Sequence, residues 1–264
     1  IMKLLTINVH AWIEENQMEK IDILARTIAE KEYDVVAMQE VNQIMTSPVV
    51  YSDIREDNYG WVLLQKIAEY TDTVYYYHWS NSHIGYNKYD EGIGILTKHE
   101  LKNTDDFYCT RSHTVRSISS RKIISAEIEY NGYDIEFYSC HMNLPTNKDE
   151  DIIGNIQTVL NRNSKDVIKV LMGDFNTDAI SSREDYEKII SQGLLDTYKM
   201  AEEKDDGITV DKNIHGWEND KGKKRIDYIF INKKVKVLKS SVIFNGKNKP
   251  IISDHYGVEL DIVI

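Results

Sequence analysis

The sequence has few of the residues that build disulfide frameworks and flexible linkers. Its only cysteines are Cys109 and Cys140, so we expect two reduced thiols, the second of them buried in a strand, and no Cys or His cluster has zinc-site spacing. There are three prolines and no Pro/Gly/Ser-rich stretch. Because 264 residues with 41% apolar side chains can bury a large core, we expect one domain over residues 1–264.

Long apolar runs are also missing. No stretch approaches the roughly 18 consecutive apolar residues of a membrane span. Residues 1–4 lead directly into a strand-like run and not into the apolar core of a signal peptide. These features predict a protein that does not contact a membrane and that lies in the cytoplasm.

Positive charge is scarce relative to negative charge. The chain has 43 Asp and Glu against 32 Lys and Arg, a formal net charge of −11. Sequence-independent binding to duplex DNA normally depends on many Lys/Arg contacts to phosphates, so nucleic acid is a less favoured partner than a small molecule. One basic run, formed by Lys221, Lys223, Lys224 and Arg225, is interpreted either as a solvated turn or as a phosphate contact.

The most informative motifs are residues 173–176 (Gly-Asp-Phe-Asn) and 253–255 (Ser-Asp-His), each meeting a strand-like stretch. Hydrolysis of a P–O bond requires a positioned water, a proton acceptor, donors to the non-bridging oxygens and usually a hard divalent cation. Carboxylates and amides can bind the cation, and a histidine beside a carboxylate can carry the proton. Either motif alone is compatible with an ordinary turn, but together they predict a metal-assisted phosphoester hydrolase.

Further polar residues lie at or near the ends of other strand-like runs, where rigid scaffolds present chemistry. These residues are Asn8, Gln39, Glu40, His141 and Asp227. Apolar spacing predicts helices over 21–29 and 61–68. Strands are predicted over 74–79, 93–97, 122–130, 133–141, 167–172, 226–232, 235–244 and 256–262, with a hairpin turn at Asn131 and Gly132. This pattern favours two sheets packed face to face with helices outside.

The order Asn, Gln-Glu, His, Gly-Asp-Phe-Asn, Asp-Tyr, Ser-Asp-His resembles the endonuclease/exonuclease/phosphatase family. That family includes deoxyribonuclease I, exonuclease III, neutral sphingomyelinases and inositol polyphosphate 5-phosphatases. The resemblance runs from Asn8 to His255 and covers nearly the whole chain. It implies an α/β class fold, the family's four-layer sandwich of two mainly antiparallel sheets flanked by helices, with the site at one end.

The resemblance also implies a Mg²⁺ site, with Mn²⁺ as an alternative. Glu40 would be the principal ligand, Asn8 would complete or orient the coordination, and Asp254 could reach the metal side. Mg²⁺ prefers oxygen ligands and keeps several waters, so this set is sufficient.

The catalytic roles implied by the resemblance fall on both motifs and on the strand before the second. Asp174 would orient the attacking water, the Asn176 amide would donate to a phosphoryl oxygen, and Asp227 would pair with His255. The general base is either Asp174 or His255. Phe175 should be core because side chains alternate along a strand.

A second histidine, His141, would donate to a non-bridging oxygen, with Glu91 as its orienting carboxylate. Histidine at this position is similar to deoxyribonuclease I and the sphingomyelinases, whereas exonuclease III has tyrosine. Arg121, His10 and Trp217 are the expected substrate contacts, although Arg121 could equally be a structural edge residue and His10 requires the first strand to continue past Asn8. Ordinary loop or surface roles are expected for His78, His83, His99, His113 and His215.

The expected substrate is a small phosphorylated metabolite, hydrolysed by in-line attack of water. Loops 42–58, 78–92, 104–120, 142–150 and 205–225 would rim the site. They carry more aromatic and acidic than basic residues, namely Tyr51, Tyr59, Trp79, Tyr86, Tyr89 and Trp217 among the aromatics. The Asn-x-His-x-Trp start at 8–12 looks like that of bacterial cytosolic sugar-phosphate phosphatases, such as those acting on maltose 6′-phosphate. The alternatives are a nuclease or other phosphodiesterase and, from another class, an inactive binding module; no oligomeric state is predicted.

Overall fold

Two β-sheets form the centre of the molecule in the computed structural model, which describes residues 1–163, 166–220 and 222–264. The strands are β1 (Met2–Asn8), β2 (Val35–Ile44), β3 (Val49–Tyr51), β4 (Ile54–Arg55), β5 (Tyr76–Gly85), β6 (Tyr89–Thr97), β7 (Asn103–Tyr108), β8 (Lys122–Tyr130), β9 (Tyr133–His141), β10 (Ile168–Asp174), β11 (Leu195–Asp196), β12 (Glu203–Lys204), β13 (Asp227–Ile231), β14 (Lys236–Ile243) and β15 (Gly257–Val263). The helices are α1 (Gln17–Lys31), α2 (Tyr59–Ile67), α3 (Ile152–Leu160), α4 (Arg183–Ile190) and α5 (Thr197–Met200).

Each sheet is mainly antiparallel. The first has the strand order β12-β14-β15-β1-β2-β6-β5 and the second β11-β13-β10-β9-β8-β7. The pairs β1/β2, β9/β10 and β12/β14 are parallel. The short hairpin of β3 and β4 is separate from both sheets.

The apolar core is divided by the sheets into three layers. Side chains such as Leu4, Phe137 and Met172 fill the space between the sheets. The helices α1 and α2 pack on the outer face of the first sheet, and α3 and α4 on that of the second. Strands covered on both faces are almost continuously apolar, as β13 shows with five buried residues in succession. The four-layer α/β sandwich expected from the sequence is therefore confirmed.

Predicted and observed elements differ mainly in length. The strand over 122–130 and its turn are as predicted, because Asn131 and Gly132 have φ of 51° and 81°, as the tight hairpin requires. The expected loop 78–92 is wrong, since most of it is the hairpin of β5 and β6. The strand expected to end near Gln39 and Glu40 continues as β2 to Ile44. The helices α3 and α4 and the strand β7 were not predicted from the sequence.

Strand direction brings the polar residues to one end. In the parallel pair β1/β2, Asn8 is opposite Gln39, and in the pair β9/β10, Asp174 is opposite His141. Asp174 is also opposite Asp227 on β13. The carboxyl ends of β1, β2, β9 and β10 thus lie at the same end of the sandwich.

A hydrogen-bonded bridge joins the two sheets beside this end. Gln39 Nε2 donates to Ser139 Oγ at 3.1 Å, and Ser139 Oγ donates to the carbonyl of Met38 at 3.0 Å. Gln39 and Ser139 are both fully buried. Gln39 therefore holds β2 against β9, whereas the side chain of the adjacent Glu40 takes no part in this bridge.

None of the helices in the described part of the chain is both long enough and apolar enough to span a membrane.

Candidate active site

The Gly-Asp-Phe-Asn motif is shaped by close contact between β10 and β9. Gly173 has φ of 150°, and a Cβ there would overlap the carbonyl oxygen of Cys140 on the neighbouring strand. Glycine is required at such a contact. Phe175 packs edge-on against Phe230 in the core, as expected, and Asn176 turns back with φ of 47°. This turn directs Asp174 and Asn176 towards one cavity.

A β-bulge presents Glu40. The pairing of β2 with β6 shifts register between Met38 and Val41, and Glu40 has φ of 51°. A bulge re-aims a side chain without ending the strand. Burial and the nearby carboxylates of Glu91 and Asp254 raise the pKa of Glu40 to about 7.

The Asn8 side chain turns its amide nitrogen towards the carboxylates of the site. Its Oδ1 accepts from the backbone N–H of His10 at 3.1 Å, and its Nδ2 donates to Glu40 Oε1 at 2.9 Å and to Asp174 Oδ2 at 3.3 Å. A backbone N–H only donates and a carboxylate only accepts, so these contacts fix which end is oxygen. The amide nitrogen faces the carboxylates. The hydrogen bond to Glu40 is compatible with the second of the two roles expected from the sequence, in which Asn8 orients the coordination.

Asp227 and His255 form a buried carboxylate–imidazole pair. His255 Nδ1 lies 2.9 Å from Asp227 Oδ2, and its Nε2 lies 3.7 Å from Asp174 Oδ2. Burial lowers the pKa of His255, but the carboxylates of Asp227 and Asp174 outweigh this effect and raise it well above its ordinary value. The ring therefore carries its proton next to Asp174.

The two carboxylate oxygens of Asp174 face four other residues of the site. One oxygen accepts the backbone N–H of Asn176 at 2.9 Å, and the other faces Asn8 and both histidines, His141 at 3.5 Å and His255 at 3.7 Å. Burial, together with the neighbouring Asp227, raises the pKa of Asp174 to about 7.

The partner of His141 differs from the expectation. Arg121 Nη1 lies 3.1 Å from His141 Nδ1, and Arg121 Nε donates to Asn143 Oδ1 at 3.1 Å. A guanidinium only donates, so Nδ1 is the unprotonated nitrogen and Nε2–H points towards Asp174. Burial and the nearby charge of Arg121 hold the pKa of His141 well below its ordinary value. The expected pairing with Glu91 is therefore wrong, because a guanidinium and not a carboxylate orients this ring and keeps it neutral.

Glu91 pairs with His83, a residue for which only an ordinary role was expected. His83 Nε2 lies 3.3 Å from Glu91 Oε1, and His83 Nδ1 lies 3.0 Å from the carbonyl of Ser120. His83 is almost fully buried on β5. Burial raises the pKa of Glu91, but His83 and Arg121 outweigh it and lower that pKa. His83 and Glu91 lie on the neighbouring strands β5 and β6. Their pairing could have been predicted from the sequence only if the β5–β6 hairpin had been predicted first.

His10 reaches the cavity from a loop. The strand β1 ends at Asn8, and His10 and Trp12 both have positive φ, so the expectation that they continue a strand face is wrong. His10 Nδ1 lies 2.7 Å from Glu14 and 3.6 Å from Asp254. Burial lowers the pKa of His10, but its hydrogen bond to Glu14 and the charge of Asp254 raise it overall. Trp12 turns away and donates to the carbonyl of Asn42.

Trp217 lies beside Asn176. Its indole Nε1–H donates to Asn176 Oδ1 at 3.2 Å. In the nearby basic run, Lys224 and Arg225 are engaged within the protein and are not the phosphate contact considered above. Lys224 is buried against the carbonyls of Asp220 and Gly222, and Arg225 pairs with Asp196 at 2.8 Å. Lys221 lies outside the described residues.

These side chains surround a cavity of about 320 Å³. Its polar lining residues are His10, Glu40, Glu91, Arg121, His141, Asp174, Asn176, Asp254, His215 and His255. It is also lined by Gly85, Tyr86, Ile118, Leu144 and Ile214. Of the aromatics expected around the site, Tyr86 lines the cavity, whereas Tyr59 and Trp79 are buried in the core behind the first sheet. The apolar lining residues Ile118, Leu144 and Ile214 were not predicted.

The donor set suits a divalent cation. Ligand atoms of Glu40, Glu91 and His141 lie within 4.8 Å of one another. Two further groups meet the same criterion, Asp174 with Asp227 and His255, and His10 with Glu14 and Asp254. Several carboxylates thus face one cavity, and a cation would relieve their mutual repulsion.

Comparison with known proteins shows to which family the chain belongs. Residues 14–255 match the Endonuclease/Exonuclease/phosphatase family. The chain therefore belongs to this family, whose members hydrolyse phosphoesters. No curated protein matches the chain in sequence.

Solved structures show the same fold. An endonuclease/exonuclease/phosphatase family protein from Leptotrichia buccalis C-1013-b is 65% identical, with a TM-score of 0.96 and full coverage of both chains, 100% each. A mannosyl-6-phosphatase of Bacteroides thetaiotaomicron VPI-5482 has a TM-score of 0.72 at 17% identity, again covering 100% of both chains. TDP2 of D. rerio, complexed with a single-strand DNA product, has a TM-score of 0.65 at 14% identity and covers 100% of this chain and 99% of that one. At such identities the last two comparisons show the fold alone.

Proposed function

We propose that the protein is a Mg²⁺-dependent phosphomonoesterase that acts on a small phosphorylated metabolite such as a sugar phosphate. Maltose 6′-phosphate is one candidate substrate, and Mn²⁺ could replace Mg²⁺. The observation that carries this proposal is the cavity itself. Its volume of about 320 Å³ suits a small ligand, and Arg121 is the only Lys or Arg among its described lining residues. A nucleic-acid groove would present many such contacts.

The charge of the cavity supports the need for a cation. Glu40, Glu91, Asp174 and Asp254 all line it, against the guanidinium of Arg121 and the protonated ring of His255. A phosphate monoester carries up to two negative charges, so these carboxylates alone would repel it. A divalent cation held by Glu40, with Asp254 and Glu91 close by, would neutralise charge on the phosphoryl oxygens when bound.

Two neutral donors face the phosphoryl group in this proposal. His141 offers Nε2–H because Arg121 occupies its other nitrogen. Asn176 offers a hydrogen of its side-chain amide. Neither group has to reorganise during the reaction, which is the property that makes such donors effective.

The proton of the attacking water passes to Asp174. His255 is held in its protonated form by Asp227 and therefore cannot accept the proton, whereas Asp174, with a pKa of about 7, can. As the water oxygen bonds to phosphorus, the bond to the sugar oxygen breaks on the opposite side, and that oxygen takes a proton from solvent. Before this transfer, the protonated ring of His255 stabilises the carboxylate of Asp174, which lies 3.7 Å from its Nε2.

The test is phosphate release from a panel of sugar phosphates and nucleotides, with Mg²⁺ and with EDTA, beside nicking of supercoiled plasmid. Metal-dependent phosphate release with intact plasmid is expected. Asn176→Ala and His255→Ala should abolish it without unfolding the protein. His99→Ala is the control, since His99 pairs with Asp34 at the start of β2, away from the cavity. Nicked plasmid with little free phosphate would instead establish a nuclease, and unchanged turnover in both alanine variants would refute the site.

A cytoplasmic location is part of the proposal. Cys109 and Cys140 are both free and buried. Unpaired thiols are usual in reducing compartments. Protection of both thiols from alkylation in the folded protein, and full labelling after denaturation without reductant, would support this location.

A further inference from the structure

The side-chain amide of Asn176 is held at both ends. Trp217 Nε1–H meets its Oδ1 at 3.2 Å, and its Nδ2 donates to the carbonyl of Met142 at 2.9 Å. An indole N–H only donates and a carbonyl only accepts, so both contacts demand the same orientation of the amide. One hydrogen of Nδ2 is used by Met142. The second is left for a ligand in the cavity that Asn176 lines.

The position of the Trp217 indole is fixed by contacts within residues 214–224. The backbone N–H of Trp217 donates to the carbonyl of Ile214 at 3.0 Å, and the backbone N–H of Asp220 donates to the carbonyl of Trp217 at 3.0 Å. The ammonium of Lys224 is fully buried, donates to the carbonyls of Asp220 and Gly222 at 2.7 Å each, and lies 5.6 Å from the centre of the indole ring. A desolvated cation over an aromatic face is attracted to it. The position of the indole is therefore determined from two sides.

Trp217 contacts Asn176 but does not line the cavity. Among the described residues that line the cavity, Asn176, Ile214 and His215 are present and Trp217 is not. Its one polar hydrogen is already used by Asn176. The sequence-based expectation of a direct substrate contact therefore does not fit the position of this side chain.

We propose that Trp217 is a positioning residue, which acts on the reaction through Asn176 by holding the amide with an N–H towards the phosphoryl oxygen. This inference rests on the proposed function only in requiring that Asn176 donates to a phosphoryl oxygen, which a monoesterase and a diesterase would share. Lys224 fixes the indole in turn. The role of Trp217 differs from a general packing role because it depends on a single hydrogen bond.

Trp217→Phe tests the proposal because it keeps the aromatic ring and removes the N–H. On whichever phosphoester the panel shows to be hydrolysed, kcat should fall by about fivefold to tenfold, the size of one neutral hydrogen bond, with KM within about twofold of the wild type. Asn176→Ala should cost about a hundredfold or more in kcat. In the double variant, Trp217→Phe should cause almost no further loss, because the two residues act as one unit.

Tyr75→Phe is the matched control. The Tyr75 hydroxyl is also buried and donates to a main-chain carbonyl, that of Tyr33, at 3.0 Å. Its loss should lower stability but leave kcat unchanged, because Tyr75 does not line the cavity. An equal loss from Trp217→Phe in the wild-type and Asn176→Ala backgrounds, a change confined to KM, or an unchanged kcat would each overturn the proposal.

A measurement that needs no substrate tests this inference independently of the proposed function. The indole N–H resonance of Trp217, assigned by its disappearance in Trp217→Phe, should move in Asn176→Ala, whereas that of Trp79 should not. An unmoved Trp217 resonance would overturn the inference even if sugar phosphates are hydrolysed. A moved resonance in a protein that releases no phosphate from any sugar phosphate would keep the contact and refute only the proposed substrate.

Discussion

Replacing Gly173 by alanine should destabilise the protein much more than the same change at Gly132. Both glycines have positive φ, 150° and 81° respectively. At Gly132 nothing lies within 4 Å of the added methyl group, whereas at Gly173 it would overlap the backbone of Cys140. The two variants therefore share backbone strain and differ in steric overlap.

The magnitude follows from these two terms. Positive φ costs an alanine about 1 kcal/mol or slightly more. Overlap in a packed interior adds about 1–3 kcal/mol, and here the contact is strand backbone, which cannot rotate away. We expect a loss of about 1 kcal/mol for Gly132→Ala and about 2–4 kcal/mol for Gly173→Ala. For a chain of this size the larger loss lowers the Tm by about 5–15 °C.

Urea denaturation followed by circular dichroism measures both free energies of unfolding under the same conditions. Gly193→Ala is a second control, because Gly193 also has positive φ, 91°, and open space around it. If Gly173→Ala is as stable as Gly132→Ala and Gly193→Ala, the close contact between β9 and β10 does not exist and the explanation of the motif glycine fails.

Three further predictions concern charge. Arg121→Met should lower kcat by about tenfold or more, because His141 loses the donor that fixes its neutral tautomer, and the pH profile of kcat should shift with it. Burial raises the pKa of Asp34, but hydrogen bonds from His99 and the backbone outweigh it and lower that pKa. The carboxylate therefore stabilises the fold fully above its unfolded pKa and progressively less as pH falls towards and through its folded pKa. Asp34→Asn should cost more stability at pH 7 than at pH 3 in urea titrations, and an equal loss at both would contradict this. Added Mg²⁺ should raise the Tm of the wild type and not that of Glu40→Gln, and an equal rise in both would place the cation elsewhere.

The sequence was sufficient to predict the fold because its signals are local and repeated. Strand-like runs end in polar residues at Asn8, His141 and Asp174, and strand direction carries these to one end of the sandwich. The β8–β9 hairpin has a turn whose chemistry allows few alternatives. Such features depend on neighbours in the chain, so they can be read without coordinates.

The orientation of the side chains could not be predicted in the same way. That Asn8 turns its nitrogen to Glu40 depends on the backbone N–H of His10, which follows from a positive φ that the sequence does not signal. That His141 is held by Arg121 depends on the register between β8 and β9. These are contacts between segments, and each one changes the charge or the donor that a residue offers.

The helices of the second outer layer were missed for a different reason. The helix α3 begins at an Asp151 cap and has only nine residues, and α4 has eight. Short helices give few repeats of the apolar spacing. Their stability comes from packing on the second sheet through residues such as Ile156 and Tyr186, which becomes visible only in the folded molecule.

The bridge between Gln39 and Ser139 lies where the catalytic groups of one sheet meet those of the other. Glu40 and Glu91 belong to the first sheet, and His141 and Asp174 to the second. Neither sheet alone therefore carries a complete set of reacting groups. Turnover consequently depends on the docking of the two sheets. A partly folded chain, in which one sheet forms before the other, would be inactive until the sandwich closes.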